Sequence, residues 1–321
     1  SLELTGEGIV GGESIPLIPQ DDPLSDELAA EFPYVAGFSV FTINTENLDL
    51  VPEILRGQFA ISATNAEGAP IDATGIQIPG VLDDLYSYNG ELGAVLDNDA
   101  VPTLQVWAPT AQNVRLHLFD NSTTEDSTVY DMMRDDESGV WRIEGEADWM
   151  NKYYVYEVQV FAPSTLDIET NFVTDPYSFS LSMNSQRSQI VDLSDPALLP
   201  EGWNDLDKPA LEAPEDIIVY ELHVRDFSIY DETVPEDLRG TYMAFTLSDS
   251  NGVKHLERLS EAGLTHLHLL PSFDIATINE NPDERTEPDP EVLASFPPDS
   301  EEQQALIMPI RDEDGFNWGY D

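Results

Sequence analysis

The sequence contains no cysteine, which removes disulfides, thiolate zinc sites and thiol catalysis from consideration. Positive charge is also scarce: 13 Lys and Arg stand against 63 Asp and Glu, and the lysines are only Lys152, Lys208 and Lys254. The formal net charge of −50 repels polyanions, so nucleic acid and anionic membrane are poor partners. No run of about 18 apolar residues occurs, so no membrane-spanning helix is expected. There is no G-x-S-x-G for a nucleophile elbow. The Gly-rich GEGIVGG of residues 6–12 lacks the preceding strand and the lysine of a phosphate-binding loop. A starting methionine and a signal peptide are missing too, which suggests a processed or trimmed chain.

What is present is ample for a fold. The 321 residues, 41% of them hydrophobic, give room for two or three domains of roughly 100–200 residues each, with real cores. Like charges push the compact state apart, and salt screens them over roughly 8–10 Å at ordinary ionic strength. The acid excess therefore suggests a saline environment and stability that rises with salt; a merely acidic soluble protein is the alternative.

Residues 1–33, rich in Gly, Pro, Asp and Glu, suggest an irregular lead-in. GQFAISATNAEGAPIDATGIQI, residues 57–78, alternates in the strand manner around the turn NAEG and marks a small β domain over 34–86. A second β unit is expected over 87–182. In TLQVWAPTAQNVRLHLFD, Leu104/Val106 and Val114/Leu116/Leu118 alternate on either side of a Pro-containing turn, and GVWRIEG and YYVYEVQVF add strands. This spacing predicts an immunoglobulin-like β-sandwich. Residues 183–215, punctuated by Pro196, Pro200, Pro209 and Pro214, suggest a linker.

From residue 216 the pattern changes. Residues 217–224 form a nearly continuous apolar run, as in a strand buried on both faces. Val253, Leu256, Leu259 and Ala262 recur at helical spacing, with Gly263 placed to stop the helix. LTHLHLLP then supplies another strand, completing a βαβ unit and a parallel sheet. Residues 274–315 suggest an acidic, Pro-rich insertion.

Chemistry-bearing residues are few. As a continuous strand, 217–228 places Glu221, His223 and Arg225 on one face. His266 and His268 share a face of the second strand. Together they raise the alternative of a metal-dependent barrel hydrolase, but no further His occurs downstream to complete a site, and mutual pairing inside the sheet or at its rim is the simpler reading. DEDG, residues 312–315, has only a fragment of a calcium-loop pattern. With 63 acidic residues, a carboxylate pair close in sequence carries no weight for glycoside chemistry. Among the tryptophans, Trp107 and Trp141 are expected in the sandwich core. Trp149, in a polar turn, is the candidate for exposure, with Trp203 and Trp318 as further possible sugar platforms.

Several long stretches carry a family resemblance. VYELHVRDFSIYDETVPEDLRGTYMAFT, followed by GVKHLERLSEAGLTHLHLLPSFDIATINE, resembles the opening of the catalytic barrel of type I pullulanases. These belong to the α-amylase superfamily, glycoside hydrolase family 13. FNWGYD at residues 316–321 is similar to that group's YNWGYDP signature, with Phe316 in the first position. LQVWAPTAQNVRLHLFD through VTDPYSFSLSMNSQRSQIVDL resembles a family 48 carbohydrate-binding module. ILRGQFAISATNAEGAPIDATGIQIPGVLDDLY is similar to the N-terminal domain of Gram-negative-type enzymes.

The resemblance implies a multidomain chain: all-β N-terminal domains, then the start of a (β/α)8 barrel over 216–321, truncated after about two strands. It implies hydrolysis of α-1,6 linkages in pullulan and branched dextrins by a retaining mechanism. The Asp nucleophile and Glu acid/base would lie on later strands, so this chain alone is expected to be inactive. Tyr320 corresponds to an aromatic that stacks on the sugar, with Asp321 shaping the same subsite. Calcium is implied by superfamily analogy, and secretion or periplasmic residence by a polymeric substrate. Oligomeric state is left open. A non-catalytic α-glucan-binding protein is the other reading.

Overall fold

The structure, a computed structural model, describes residues 2–6, 8–270 and 278–311. Two compact units make up the chain, Ser1–Leu193 and Ser194–Asp321.

The first unit begins with three antiparallel two-stranded ribbons: β1 (Glu3–Thr5) with β2 (Gly8–Val10), β3 (Leu17–Gln20) with β4 (Val40–Ile43), and β5 (Ile61–Thr64) with β6 (Pro70–Thr74). Helices α1 (Asp26–Glu31), α2 (Val51–Ile54) and α3 (Pro79–Tyr86) lie between and after them. The first 33 residues are thus less irregular than expected. Strands of three or four residues are too short for alternation to register, and Ser25, which caps α1 by accepting from Leu28 N–H, stands in a run of acidic residues. The NAEG turn forms as expected: the Asn65 side chain accepts from the N–H groups of Glu67 and Ala69, and Gly68 takes φ +83°. Among the described residues up to 86, only Leu55 and Tyr86 are buried apolar side chains.

Nine further strands form two antiparallel sheets. These are β7 (Gly93–Leu96), β8 (Pro102–Trp107), β9 (Ala111–Phe119), β10 (Thr128–Asp131), β11 (Met133–Arg134), β12 (Val140–Glu144), β13 (Tyr153–Ala162), β14 (Asp167–Val173) and β15 (Ser188–Gln189). One sheet has the order β11-β12-β8-β7. The other has β10-β9-β13-β14, with β15 also on β13. The alternation seen in sequence sends Leu104 and Val106 from one sheet, and Val114, Leu116, Leu118, Tyr154 and Tyr156 from the other, into a shared core with Trp141 and Ile190. Each such side chain contributes about 1.5–3 kcal/mol on full burial, so stability concentrates here. Trp107 and Trp141 both donate their indole N–H to backbone carbonyls, those of Tyr86 (2.9 Å) and Ala108 (3.1 Å). The first of these bonds ties α3 to the sandwich.

Trp149, expected to be exposed, is buried. Its ring lies 4.9 Å from that of Tyr130 and over Gly145, where a Cβ would come within 2.6 Å of it. The absence of a side chain at Gly145 makes that seat, which polarity along the sequence does not reveal.

In the second unit β16 (Val219–Leu222) pairs in parallel with β17 (His266–Leu269), and the connection holds α4 (Val224–Ser228) and α5 (Asn251–Glu261). Helix α5 follows the expected grammar: Ser250 caps it by accepting from Val253 N–H, and Gly263 ends it at φ +109°. The Asp231 carboxylate pins the approach, accepting from Gly252 N–H (3.0 Å) and the Thr233 hydroxyl. The strand is shorter than expected. It stops at Leu222, the chain coils into α4, and Val219 and Tyr220 are exposed. Among the described residues β16 and β17 pair only with each other, so no closed barrel forms and nothing covers both faces of the run. Within the acidic stretch, α6 (Pro290–Ala294) and α7 (Glu301–Ile307) are helical, where sequence suggested only loop. Asp289 and Ser300 cap them.

Candidate functional site

The core-facing alternation of β9 and β13 sends the intervening residues to the sheet's outer face. Register places Arg115 opposite Glu157 and His117 opposite Val155, while Glu157 lies opposite Phe172 on β14. Glu157 meets both the Arg115 and the His117 side chains. Arg115 pairs with one carboxylate oxygen, and His117 Nε2 lies 2.7 Å from the other. His117 Nδ1 is 3.0 Å from Ser127 Oγ. Burial pushes Glu157 up, but the hydrogen bonds and charges of Arg115 and His117 outweigh it and hold the carboxyl below its usual value. The same pairing raises the Arg115 guanidinium.

Phe172 stands beside this network, its ring edge-on to His117 at 5.2 Å and 62% exposed. A flat apolar ring beside fixed polar groups suits a ligand with an apolar face and hydroxyl edges. Sequence reasoning passed over Phe172. The available signal was its parity with Ile168 and Thr170 in DIETNFV, but which side that parity faces depends on the register with β13.

Of the residues singled out in sequence, Glu221 and His268 do meet: they are register partners, and His268 Nδ1 lies 3.1 Å from Glu221 Oε2. His266 is the partner of Val219. His223 does not share their strand face, because β16 has ended; its Nδ1 lies 3.8 Å from Asp226. Arg225 is carried onto α4 and pairs with Asp226 at 3.1 Å. Among the described residues no three His, Asp or Glu side chains gather as a metal site would require, and no helix is long and apolar enough to cross a membrane. Trp203 is exposed. Trp318, Tyr320, Asp321 and DEDG lie outside the described residues.

Comparison with known proteins bears on both units. The Pullulanase N2 domain family matches residues 1–84, and Carbohydrate-binding module 48 (Isoamylase N-terminal domain) matches residues 91–178. Pullulanase 1, chloroplastic, of Arabidopsis thaliana is 41% identical over 99% of this chain and 33% of its own length. A pullulanase of Klebsiella pneumoniae is 36% identical over 98% of this chain and 32% of its own. Among solved structures, Klebsiella pneumoniae pullulanase complexed with maltotriose matches with TM-score 0.88 at 35% identity, covering 98% of this chain and 33% of that one. Pullulanase from Klebsiella oxytoca also matches at 0.88 and 35%, over 99% of this chain and 33% of its own. The chain spans about a third of the length of the curated relatives it matches.

Proposed function

This chain is homologous to the N-terminal third of pullulanases and carries an N2 domain followed by a family 48 carbohydrate-binding module, and from that premise we propose that it is the leading portion of a debranching enzyme. The enzyme hydrolyses α-1,6-glucosidic linkages in pullulan and branched dextrins with retention. The carrying observation is continuity: the two family matches stand in tandem, and the same relatives run on over 98–99% of the chain.

A retaining mechanism needs two carboxyl groups about 5–5.5 Å apart, one stabilising the oxocarbenium-like charge and one donating the proton. In this reading both belong to the part of the enzyme that this chain does not span. The parallel β16–α5–β17 arrangement is the first strand, helix and second strand of a (β/α)8 barrel that needs roughly 250 residues to close. Tyr320 stacks on the substrate sugar, and Asp321 shapes that subsite. Calcium enters only by superfamily likeness, since the described residues gather no ligand set for it. The polymeric substrate supports a secreted or periplasmic enzyme. A 41% identical relative named chloroplastic shows that likeness by itself does not set the compartment.

Within this reading the outer face around Phe172, His117, Arg115 and Glu157 is where the module meets α-glucan. The exposed ring and its fixed polar border support the assignment. The test of the whole is reducing-end release from pullulan and from amylose. This chain should release none. The longer native product should act on pullulan and spare amylose. A native product that binds pullulan without releasing reducing ends would replace the enzyme with an α-glucan-binding protein.

A further inference from the structure

The sequence contains two Asn-Gly pairs, Asn89-Gly90 and Asn251-Gly252, and the fold treats them in opposite ways. Asn-Gly is the most reactive peptide link of an ordinary chain. Glycine has no side chain to obstruct its own nitrogen, so that nitrogen readily reaches the carboxamide carbon of the asparagine before it. The attack needs a free N–H and a backbone able to bring the carboxamide over it.

Asn251-Gly252 meets neither need. Both residues lie in the first turn of α5, where helical torsions hold the side chain away from the next nitrogen. Gly252 N–H donates to the Asp231 carboxylate (3.0 Å), and Asn251 N–H donates to the Thr233 hydroxyl (2.9 Å). The Asn251 carboxamide nitrogen lies 3.5 Å from Asp231 Oδ1. Hydrogen bonds to a charged acceptor are the stronger kind.

Asn89-Gly90 meets both needs. The pair is exposed, in the irregular segment 87–92 between α3 and β7. Neither the Asn89 carboxamide nor the Gly90 N–H has a hydrogen-bond partner among the described residues. Asn-Gly ordinarily serves a tight hairpin turn with left-handed torsions, but Gly90 is not among the glycines of positive φ. The nearest atoms to a Cβ at residue 90 would be the outer end of the flexible Tyr88 ring. The fold thus holds the second pair and leaves the first free to react.

We propose that Asn89-Gly90 is a site of spontaneous backbone modification, at which Asn89 becomes β-linked isoaspartate and aspartate through a cyclic imide. Gly90 N gives its proton to solvent base and bonds to Asn89 Cγ; the Cγ–Nδ2 bond breaks and ammonia leaves. Water then opens the imide. Attack at the Asn89 backbone carbonyl leaves Gly90 joined to Cγ, which is isoaspartate, and attack at Cγ restores the ordinary link as aspartate. The sum is carboxamide plus water giving carboxylate plus ammonium, with no redox partner and no enzyme.

The modification falls at the join between the residues matched by the two families, 1–84 and 91–178. Each event adds a carboxylate to the net charge of −50, and the β-linked form also adds a backbone carbon. The anchors of the segment lie on either side of it. The Tyr86 carbonyl accepts from the Trp107 indole N–H (2.9 Å), and the Glu91 carbonyl from Gln105 Nε2 (3.3 Å). Residues 87–90 therefore take up the added length between two points on β8.

The test ages the purified 321-residue chain in mildly alkaline buffer and reads both pairs by peptide mass spectrometry. Isoaspartyl methyltransferase with labelled S-adenosylmethionine reports the β-linked product. Asn89 should convert at least about tenfold faster than Asn251 in the folded chain, since Gly252 must first leave its charged hydrogen bond. The rate should rise with pH, and the β-linked product should exceed the α-linked one. In urea the two pairs should convert alike. Gly90→Ala, which displaces only the end of the Tyr88 ring, should slow Asn89 by a similar factor with the unfolding midpoint unchanged. Equal rates at the two pairs in the folded chain overturn the proposal, as does conversion to aspartate without isoaspartate. A gap between the pairs that persists in urea would trace it to sequence neighbours and overturn the structural account. Comparing the two pairs needs no variant, so the test stands even where Gly90→Ala fails to fold.

Discussion

Replacing Asp175 should break the buried polar network that joins β13 to Tyr177 and β15. The carboxylate is buried and collects three donors: Tyr154 OH at 2.7 Å, Tyr156 OH at 3.0 Å and Tyr177 N–H at 2.8 Å. Its own N–H donates to Ser188 Oγ on β15. Asp175→Ala leaves two tyrosine hydroxyls and a backbone N–H without their acceptor. A buried orphan costs about 1–3 kcal/mol, and water entering the vacated space recovers part of that. The net loss should be about 3–5 kcal/mol. Asp175→Asn keeps the volume and one acceptor oxygen, so it should lose about 1–2 kcal/mol. Urea unfolding of the chain at fixed salt, followed by tryptophan fluorescence, reads both. The pH dependence has a definite sign. Burial pushes Asp175 above its ordinary value, and the hydrogen bonds from Tyr177, Tyr154 and Tyr156 recover only part. A carboxyl raised in the folded state favours folding most below its unfolded value of about 3.9, and that contribution fades as pH rises through the folded value. Asp175→Asn should remove this fading. A loss below about 1 kcal/mol for Asp175→Ala would refute the picture of a network held together by this carboxylate.

Glu157 should show the opposite pH sign. Held below its usual value, it contributes above the unfolded value of about 4.3 and loses that contribution as pH falls through its lower folded value; Glu157→Gln should flatten the acid limb of stability, and identical limbs would count against the pairing. Trp149→Ala should cost about 3–5 kcal/mol of unfolding free energy, whereas a nearly neutral substitution would place the ring outside the core. Phe172→Ala should weaken α-glucan binding by about 1–2 kcal/mol, roughly fivefold to thirtyfold in Kd, with the unfolding midpoint unchanged. An unaltered Kd would move the glucan face elsewhere. Raising NaCl from about 0.1 M to 1 M shortens the screening length from about 10 Å to 3 Å and should raise the unfolding midpoint; equal midpoints would remove the saline reading of the −50 charge.

Elements whose partners lie close in sequence were legible there. Leu104/Val106 and Val114/Leu116/Leu118 face the core as their alternation indicated, and Ser250, Val253 and Gly263 bound and fill α5 as their spacing required. What was not legible depends on distant partners. The apolar run from Ile217 suggested a strand buried on both faces, but burial depends on which segments lie beside it. Its polar residues seemed to share one face, until the turn into α4 after Leu222 carried His223 and Arg225 away from Glu221. Trp149 stands among polar neighbours in sequence, yet Gly145 makes room for it. The Arg115–Glu157–His117 cluster needs the register of β9 against β13, and Phe172 joins it only through the next strand. Alternation in YSFSLSM, residues 177–183, implies apolar-in, yet Tyr177, Phe179, Leu181 and Met183 are exposed and the serines between them are half-buried or buried. Only the hydrogen bonds of Ser178, Ser180 and Ser182 reveal the inversion.

The most direct test of the pullulanase reading is the intact mass of the native product, captured from its source with an antibody to residues 93–182. A species about three times the 35.7 kDa of this chain is expected, because the chain matches 32–33% of its relatives' length. A native species of 35.7 kDa would contradict it, leaving a glucan-binding protein without the two carboxylates that glycoside hydrolysis requires.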